Sequence, residues 1–510
     1  MNTQKVEKLS PARLSVPLLE GLELVNRGKV RDTYRIPPRP GIPDRLLLVV
    51  VTDGISVFDF VLNVLILIKG YVLAAMTHYW MLFLESKGIK THFVAAGKNI
   101  DHYLPEHLRG NIDLQRRAMV VMELDMILIE FIMRFCLTGS VLSEYREKGT
   151  VYGKPMPAGL KDGDLLEEMI FTPTTKAQDG DHDKPIPEQW VRDNYREAVA
   201  IFEAACSFTT PNALEKNLLI ADKKGELGRD QKGIIRVGDE WATCDSSRMW
   251  DLLIHQKMRG KANRKPPPSL DKQYMRAYAE EHGINGKLDP KNPENVAKAH
   301  ALAIPQEVVD ETSHLYRYAA YRLFGESVDE YGRNRMGINI PYKKKKVAFV
   351  FGSRSDIPQM RQHIKSTLGP ELSRRLEKPD VHVLSCHRHD RELRAFINGG
   401  CGGADAVIAT AGMAAALPGM MTTYIKKRGI KIPVIGVGVD GPTPEDHDAA
   451  RLSIKRLPSG PVVINEVQGE PYMGPDGFHA AIMRVAYGEL PPSAKPSGKP
   501  AELYIDIDSL

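Results

Sequence analysis

The sequence predicts two domains of different class: an α+β domain over residues 1–330 and an α/β three-layer domain with a parallel sheet over 346–490, with a linker at 331–345 and a tail at 491–510. Three observations carry this. Short strands with polar, Pro- or Gly-rich connections are interspersed with amphipathic helices through the first two-thirds of the chain. After Lys346, short continuous apolar runs alternate with helical segments, as buried parallel strands do. At 510 residues the chain also exceeds one typical domain.

Hydrophobic residues at 43% and charged residues at 26% are ordinary globular proportions, which excludes a disordered or fibrous class. A formal net charge of +5 over this length permits anionic small molecules and lacks the concentrated basic face of a nucleic-acid binder. Cys136, Cys206, Cys244, Cys386 and Cys401 are widely spread without CxxC spacing. That pattern points to a reducing compartment, the cytoplasm, and to no zinc site. The first eight residues lack an apolar h-region, so no signal peptide is expected. The most apolar stretch, Val57 to Met76, is interrupted by Asp59, Asn63 and Lys69. A membrane span needs ~20 mostly apolar residues, so this stretch reads as buried strand and helix and no membrane partner is expected.

In chain order, residues 22–52 read as a β-hairpin whose loop runs through Pro43. Gly28, Lys29 and Arg31 on its first strand suit either a solvated turn or close approach to a triphosphate. A helix is expected from Val72 to Ser86, an amphipathic helix over 187–207, and another from Pro305 to Phe324. Pro266-Pro267-Pro268 marks a loop. The run Lys343 to Lys346 precedes an apolar strand and reads as solvated linker rather than a nucleic-acid patch.

Leu218 to Asp251 organises the first domain. An apolar run, Leu218 to Ala221, passes into Asp222, Lys224 and Glu226, and a second short strand ends in Asp239-Glu240. Alternate positions on a strand share a face, so Asp222, Lys224 and Glu226 point into one cleft. Carboxylates beside a lysine suit Mg²⁺ and nucleotide phosphates, since Mg²⁺ takes hard oxygen ligands and keeps phosphates in its shell. A solvated antiparallel hairpin is the other reading that spacing allows.

Over roughly residues 20–330 the chain resembles SAICAR synthetase, the ligase that joins aspartate to a carboxylated aminoimidazole ribonucleotide. The resemblance is carried in order by Gly28-Lys29-Val30-Arg31-Asp32, Thr52-Asp53 with Ser56 and Asp59, Leu137-Thr138-Gly139-Ser140 after Arg134, and Phe171 to Ala177 with His182-Asp183. It continues through Asp222, Lys224, Glu226, Gly228, Asp239-Glu240, Asp245 to Trp250, and Ser269 to Gln273 before Arg276. It implies an ATP-binding ligase fold with ATP and Mg²⁺. A carboxylate acylates poorly until phosphorylated, and phosphoryl transfer is catalysed by positioning and charge neutralisation. By resemblance, Gly28, Lys29 and Arg31 contact ATP, and Glu226 and Asp239 hold Mg²⁺. Arg134, Ser140, Asp245, Ser246, Arg248 and Arg276 bind nucleotide and aspartate, beside a catalytic Lys224; His182-Asp183 is read as site wall. Arginine forks suit phosphate and carboxylate. The chain departs from the family's pattern at Gly54, where arginine is usual, at Gly225, where an aromatic is common, and in the apolar residues around Arg134.

In the second domain, Val347 to Phe351 runs into Gly352-Ser353-Arg354-Ser355-Asp356, and a Pro-started helix follows. Strand, Gly/Ser loop and helix in that order present backbone N–H groups to a phosphate. Further strands are expected at Val381 to Leu384, Ala406 to Ala409 and Val434 to Val439, with ligands at their carboxyl ends. The loop after Phe351 lacks the GxGxxG glycines, which disfavours an NAD-binding domain. The Gly-Ser-x-Ser-Asp loop, His387-Arg388 and Leu417-Pro418-Gly419-Met420 make residues 346–490 similar to the AIR carboxylase family, flavodoxin-like in fold, and within it to the N5-carboxyaminoimidazole ribonucleotide mutase branch. The resemblance implies His387 as the proton carrier, a role that fits the ordinary titration range of histidine. It implies Ser353, Ser355, Asp356, Ser385, Arg388 and Gly412 as substrate contacts, and a homo-oligomer, up to an octamer, through this domain. Departures are Cys386, His389-Asp390, Thr410, Met413 and Ala416.

The expectation is a bifunctional purine-biosynthesis enzyme acting on aminoimidazole ribonucleotides, L-aspartate and ATP. A direct CO₂-using carboxylase at the second site, and a non-catalytic nucleotide-binding scaffold, are its alternatives.

Overall fold

The structure is a computed structural model of the full chain and describes residues 8–38, 40–41, 45–176, 184–258, 266–412, 415–457, 462–465 and 469–491. His182, Asp183, Met413 and the tail beyond 491 lie outside the described residues. The chain divides into two compact units, Met1–Ile340 and Pro341–Leu510. The first reaches past the expected boundary: helix Val328–Arg335 spans it, and Met336, Ile338 and Ile340 join its apolar core.

Beside two short two-stranded sheets, two large antiparallel ones, of five and seven strands, build the first unit. In one, strands Glu23–Arg27, Arg31–Arg35, Leu46–Val51, Ala118–Met122 and Phe93–Ala96 follow in that order. The expected hairpin over 22–52 is therefore a three-stranded meander. Its extra turn closes at Gly28, whose N–H donates to the Arg31 carbonyl at 2.7 Å. The other sheet is built on the strand Leu218–Arg229, which pairs with Ile129–Leu137, Ser247–Asp251 and Ile235–Gly238. Helix Lys69–Ser86 is buried nearly all round, as its mostly apolar composition requires. The expected helix over 187–207 is two helices, Glu188–Asn194 and Arg196–Glu215, broken at Tyr195. Helix Gln306–Phe324 ends at Gly325 in the left-handed conformation, the usual glycine stop.

The central strand is buried on both faces, which simple charge alternation does not foresee. Lys223 is fully buried, with its ammonium 4.5 Å from the Trp241 ring centroid. Burial lowers its pKa, with Cys206 opposing. Trp241 also accounts for Gly225. A Cβ at Gly225 would stand 2.6 Å from the Trp241 ring and 3.0 Å from Phe202, so the indole occupies the volume that a side chain at 225 would need.

The second unit holds a parallel sheet ordered Asp380–Val383, Val347–Phe351, Ala406–Ala411, Val434–Gly438, Tyr472–Met473. In sequence rank this is 2-1-3-4-5, the flavodoxin-like order. Val347, Phe349 and Phe351 face one core with helix Gly474–Tyr487, while Ala348 and Val350 face the other with helices Asp390–Asn398 and Ala416–Lys427. Strands buried on both faces explain the continuous apolar runs. The fifth strand, two residues long, is too short to announce itself in sequence. Lys345 and Lys346 are structured rather than solvated linker. Lys345 N–H donates to the Arg375 carbonyl at 2.8 Å, and Lys346 pairs with Asp380 at 3.1 Å. Among the described residues no helix is long and apolar enough to cross a membrane.

Gly225→Ala should destabilise the first unit by about 1–3 kcal/mol, the usual cost of overpacking a closed core. Urea unfolding of wild type and variant checks it; equal midpoints would mean that Trp241 yields freely.

Candidate functional sites

The first site grows from strand register. Asp222 pairs across with Arg134 on one neighbouring strand and Arg248 on the other. The Asp222 carboxylate consequently accepts from Arg134 at 3.1 Å, from the Arg248 guanidinium and from the Arg248 backbone N–H at 3.2 Å. Burial pushes the Asp222 pKa up, but Arg248 and then Arg134 bring it below the usual carboxylate range. Arg134 also donates to Ser140 Oγ at 3.2 Å and Thr172 Oγ1 at 3.0 Å. Gly139 has φ +65°, and a Cβ there would lie 2.6 Å from the Arg248 guanidinium, so glycine both permits the turn and leaves room for the arginine. Arg134, Ser140, Asp222 and Arg248 thus form one cluster.

Two residues along the strand, Lys224 donates to Glu130 at 2.6 Å and lies 3.8 Å from Glu226. Burial opposes its charge, yet Glu130 and Glu226 outweigh that and raise its pKa. Lys224 is therefore held as an ammonium, suited to stabilising negative charge and not to accepting a proton. Lys176 also pairs with Glu226. Glu226 stands opposite Gly238 in the hairpin, one residue from Asp239, and both carboxylates act on Lys224. Two hard carboxylates from paired strands fit Mg²⁺, which takes one or two protein carboxylates with substrate phosphates completing its shell.

Arg31 reaches from the first sheet to Asp239 and Glu240. Burial opposes its charge, but those carboxylates push its pKa up. Asp239 has φ +52°, and its carbonyl sits 3.2 Å from Nε2 of His92. Burial lowers the His92 pKa to about 4, so the ring is neutral at pH 7 and braces this backbone. Lys29, half exposed, pairs with Asp59 at 2.6 Å. Arg276 lies over the Phe58 ring at 4.7 Å, within electrostatic reach of Arg248 and Asp222. Ser246 instead closes its own turn, accepting from Thr243 N–H at 3.1 Å.

Asp245 is bound to groups that sequence reasoning left out. Its carboxylate accepts from Lys69 at 2.7 Å and from the Tyr316 hydroxyl at 2.7 Å, and Lys69 is fully buried. One signal was available: a lone lysine inside the most apolar stretch of the chain must find a buried anion. Lys272, adjacent to Asp271, also acts on Asp245.

The second site lies at the carboxyl ends of Val347–Phe351 and Ala406–Ala411, the switch point of the sheet order, where ligands of such sheets bind. Ser353 and Asp356 form a reciprocal capping box: Asp356 accepts from Ser353 N–H at 2.9 Å, and the Ser353 hydroxyl caps the following turn. Ser355 donates to Ser353 Oγ at 2.8 Å. A Cβ at Gly412 would lie 3.9 Å from Asp356 Oδ1, which brings Gly412 to this loop. Buried Ser385 accepts from the backbone N–H groups of His387 and Arg388, each at 3.4 Å, and Arg388 reaches the Gly352 carbonyl at 3.4 Å. His387 is exposed at this rim. His389, a departure from the family pattern, accepts the Ser385 N–H on Nδ1 at 3.1 Å and so fixes the loop that carries His387.

Residues 24–293 match the family described as SAICAR synthetase, and residues 346–475 the family described as AIR carboxylase. A phosphoribosylaminoimidazole-succinocarboxamide synthase of Thioalkalivibrio sulfidiphilus is 34% identical over 330 residues, covering 62% of this chain and all of the relative. That of Corynebacterium ammoniagenes is 36% identical over 321 residues, covering 61% and 97%. A solved structure of a SAICAR synthase aligns with TM-score 0.50 at 31% identity over 61% of this chain and 98% of its own.

The Asp245 carboxyl is held down to about 2: burial pushes it up, but Lys69, then Lys272, and the Tyr316 hydroxyl outweigh burial. Its stabilisation is therefore complete above the ordinary aspartate value of ~3.9 and lost as pH falls toward about 2. Asp245→Asn should flatten this acid limb in urea unfolding and cost about 3 kcal/mol or more at pH 7, because Lys69 stays buried without an anion. An unchanged acid limb would contradict it.

Proposed function

Since the chain belongs to the SAICAR synthetase family and carries an AIR carboxylase-family domain, we propose that it catalyses consecutive steps of purine biosynthesis, with the second domain supplying the substrate of the first. The observation that carries this reading is the wall on one strand, where Asp222 clamps Arg134 and Arg248, and Lys224 and Glu226 follow at strand spacing.

At the first site the carboxylated aminoimidazole ribonucleotide lies against Arg134, Ser140, Arg248 and Arg276, whose planar forks pair with phosphate and carboxylate. Asp222 sets the angle of two of these forks by holding both guanidinium groups. The turn at Gly28 and Lys29, with Arg31, receives the ATP phosphates. Glu226 and Asp239 would hold Mg²⁺, which when bound neutralises phosphate charge. Lys224, fixed as an ammonium, stabilises charge on the phosphorylated carboxyl group until the aspartate amine displaces phosphate. Asp245, tied to Lys69 and Tyr316, keeps the floor of this pocket in place.

At the second site the Gly352–Asp356 loop holds the nucleotide phosphate, as Gly/Ser loops at helix starts do, and Ser385 and Arg388 hold the rest of the nucleotide. His387 carries the proton that leaves the ring carbon when the carboxylate moves from nitrogen to carbon. His387-Arg388 with Leu417-Pro418-Gly419-Met420 supports the mutase over the direct carboxylase. A cytoplasmic homo-oligomer, assembled through the second domain, completes the proposal.

Glu226→Ala should abolish ADP formation that depends on aspartate and the C4-carboxylated nucleotide, while leaving the second activity intact. Nucleotide binding without turnover in the wild type would favour a scaffold. His387→Asn should lower the second activity about 10²-fold or more, the scale of general acid–base catalysis, with nucleotide binding retained. Feeding either the N5-carboxylated nucleotide or the bare aminoimidazole with bicarbonate decides between mutase and carboxylase. Full activity in His387→Asn would overturn its assignment.

A further inference from the structure

We propose that Arg13 is a positioning residue of the nucleotide site: its guanidinium fixes the Gly28–Lys29 turn from beneath, and Gly54 makes the space it fills. The inference rests on the reading of that turn as the contact for ATP phosphates.

Arg13 belongs to the short helix Pro11–Leu14 and is fully buried. Its Nη2 donates to the Gly28 carbonyl at 3.2 Å and to Asp32 at 2.5 Å. A Cβ at Gly54 would stand 3.0 Å from Arg13 Cδ and 3.5 Å from the Lys29 carbonyl oxygen. The φ of Gly54 is not positive, so glycine is there for room and not for conformation. A larger residue would press on the arginine stem and, behind it, on the turn.

The helix is anchored as a lever of this kind must be. The Ser10 hydroxyl caps Arg13 N–H at 3.2 Å and donates to the Leu62 carbonyl at 2.8 Å. Arg27 donates to the carbonyls of Arg13, Leu14 and Val16 at 3.3, 3.1 and 2.8 Å. Asp32 also lies 3.9 Å from Arg27, so one carboxylate serves two guanidinium groups and the local charge stays positive. Among the described residues Nε and Nη1 of Arg13 have no partner. A buried guanidinium with free donors is costly, and an excess of cation directly under a phosphate-binding turn offsets that cost once an anion arrives. The Gly28 N–H is tied to the Arg31 carbonyl at 2.7 Å and its carbonyl to Arg13, so the peptides on both sides of Gly28 are held before nucleotide binds.

The test compares the full-length wild type with Arg13→Ala, Arg13→Gln and the double variant Arg13→Ala/Gly54→Arg. ADP affinity is measured by calorimetry with Mg²⁺, alongside KM for ATP and for aspartate. Losing a charge-assisted contact should weaken ADP binding and raise KM for ATP about tenfold, with KM for aspartate unchanged within about twofold. Gly54→Arg should restore ADP binding in the double variant, because it returns a guanidinium to the same space; a merely structural Arg13 would instead change KM for ATP and for aspartate together. Arg13→Gln keeps the stem but loses the charge and the fork, so a comparable fall in ADP affinity is expected of it, and it decides the matter where Arg13→Ala does not fold. A folded Arg13→Ala or Arg13→Gln single variant that binds ADP as the wild type does, or a folded double variant that binds it no better than Arg13→Ala, overturns the proposal. Wild-type protein that binds ADP and makes no product overturns the ligase reading alone, and the ADP comparison still decides on Arg13. Wild-type protein that binds no ADP overturns both.

Discussion

The first unit depends on one buried carboxylate held between two guanidinium groups. Asp222 is the meeting point of three strands, and its partners Arg134 and Arg248 come from the strands on either side. Without it two arginines would face each other in a site nearly closed to water, where like charges repel strongly. With it, both forks are aimed and half satisfied, leaving donors for an anionic substrate. Gly139 and Ser140 complete the arrangement because the loop they form lies against the same guanidinium groups. The departures from family pattern then take on meaning. Gly225 is matched by Trp241, which fills its volume from the hairpin, and Gly54 is matched by Arg13.

The second unit solves a related problem with backbone in place of side-chain charge. Its Gly352–Asp356 loop is closed by a capping box, and the loop bearing His387 is tied by Ser385 and His389. The Gly352–Asp356 loop sits where the order of parallel strands reverses, so the fold itself opens the crevice, and the His387 loop follows the adjoining edge strand Asp380–Val383. The proposed acid/base group is exposed at the rim of this hydrogen-bonded frame.

Much of this was legible in the sequence because a strand buried on both faces leaves a continuous apolar run and alternate residues of a strand share a face. The parallel strands of the second unit were readable as apolar runs, and Asp222, Lys224 and Glu226 as a shared face. What was missed has physical reasons. A solvated turn at Gly28 is one of the two readings of that stretch, but its splitting of the segment into two paired strands was hidden, since Gly-Lys-Val-Arg has no Pro or Asn to mark a break. The second face of the central strand was unreadable because Lys223 is buried against Trp241, a contact set by the tertiary fold. Lys69 and Tyr316 meet Asp245 from positions far apart in the chain, and no local spacing encodes that. The extent of the first unit was obscured because helix Val328–Arg335 is strongly charged, although Val328 and Tyr331 are buried.

The central claim is that one chain holds two sites acting in sequence. Its most direct test supplies the purified protein with N5-carboxylated aminoimidazole ribonucleotide, L-aspartate, ATP and Mg²⁺, and follows ADP and the succinocarboxamide product by chromatography. The account predicts that both appear in equal amounts after a lag set by the C4-carboxylated intermediate. Product that forms only when the C4-carboxylated nucleotide is supplied from outside would contradict it.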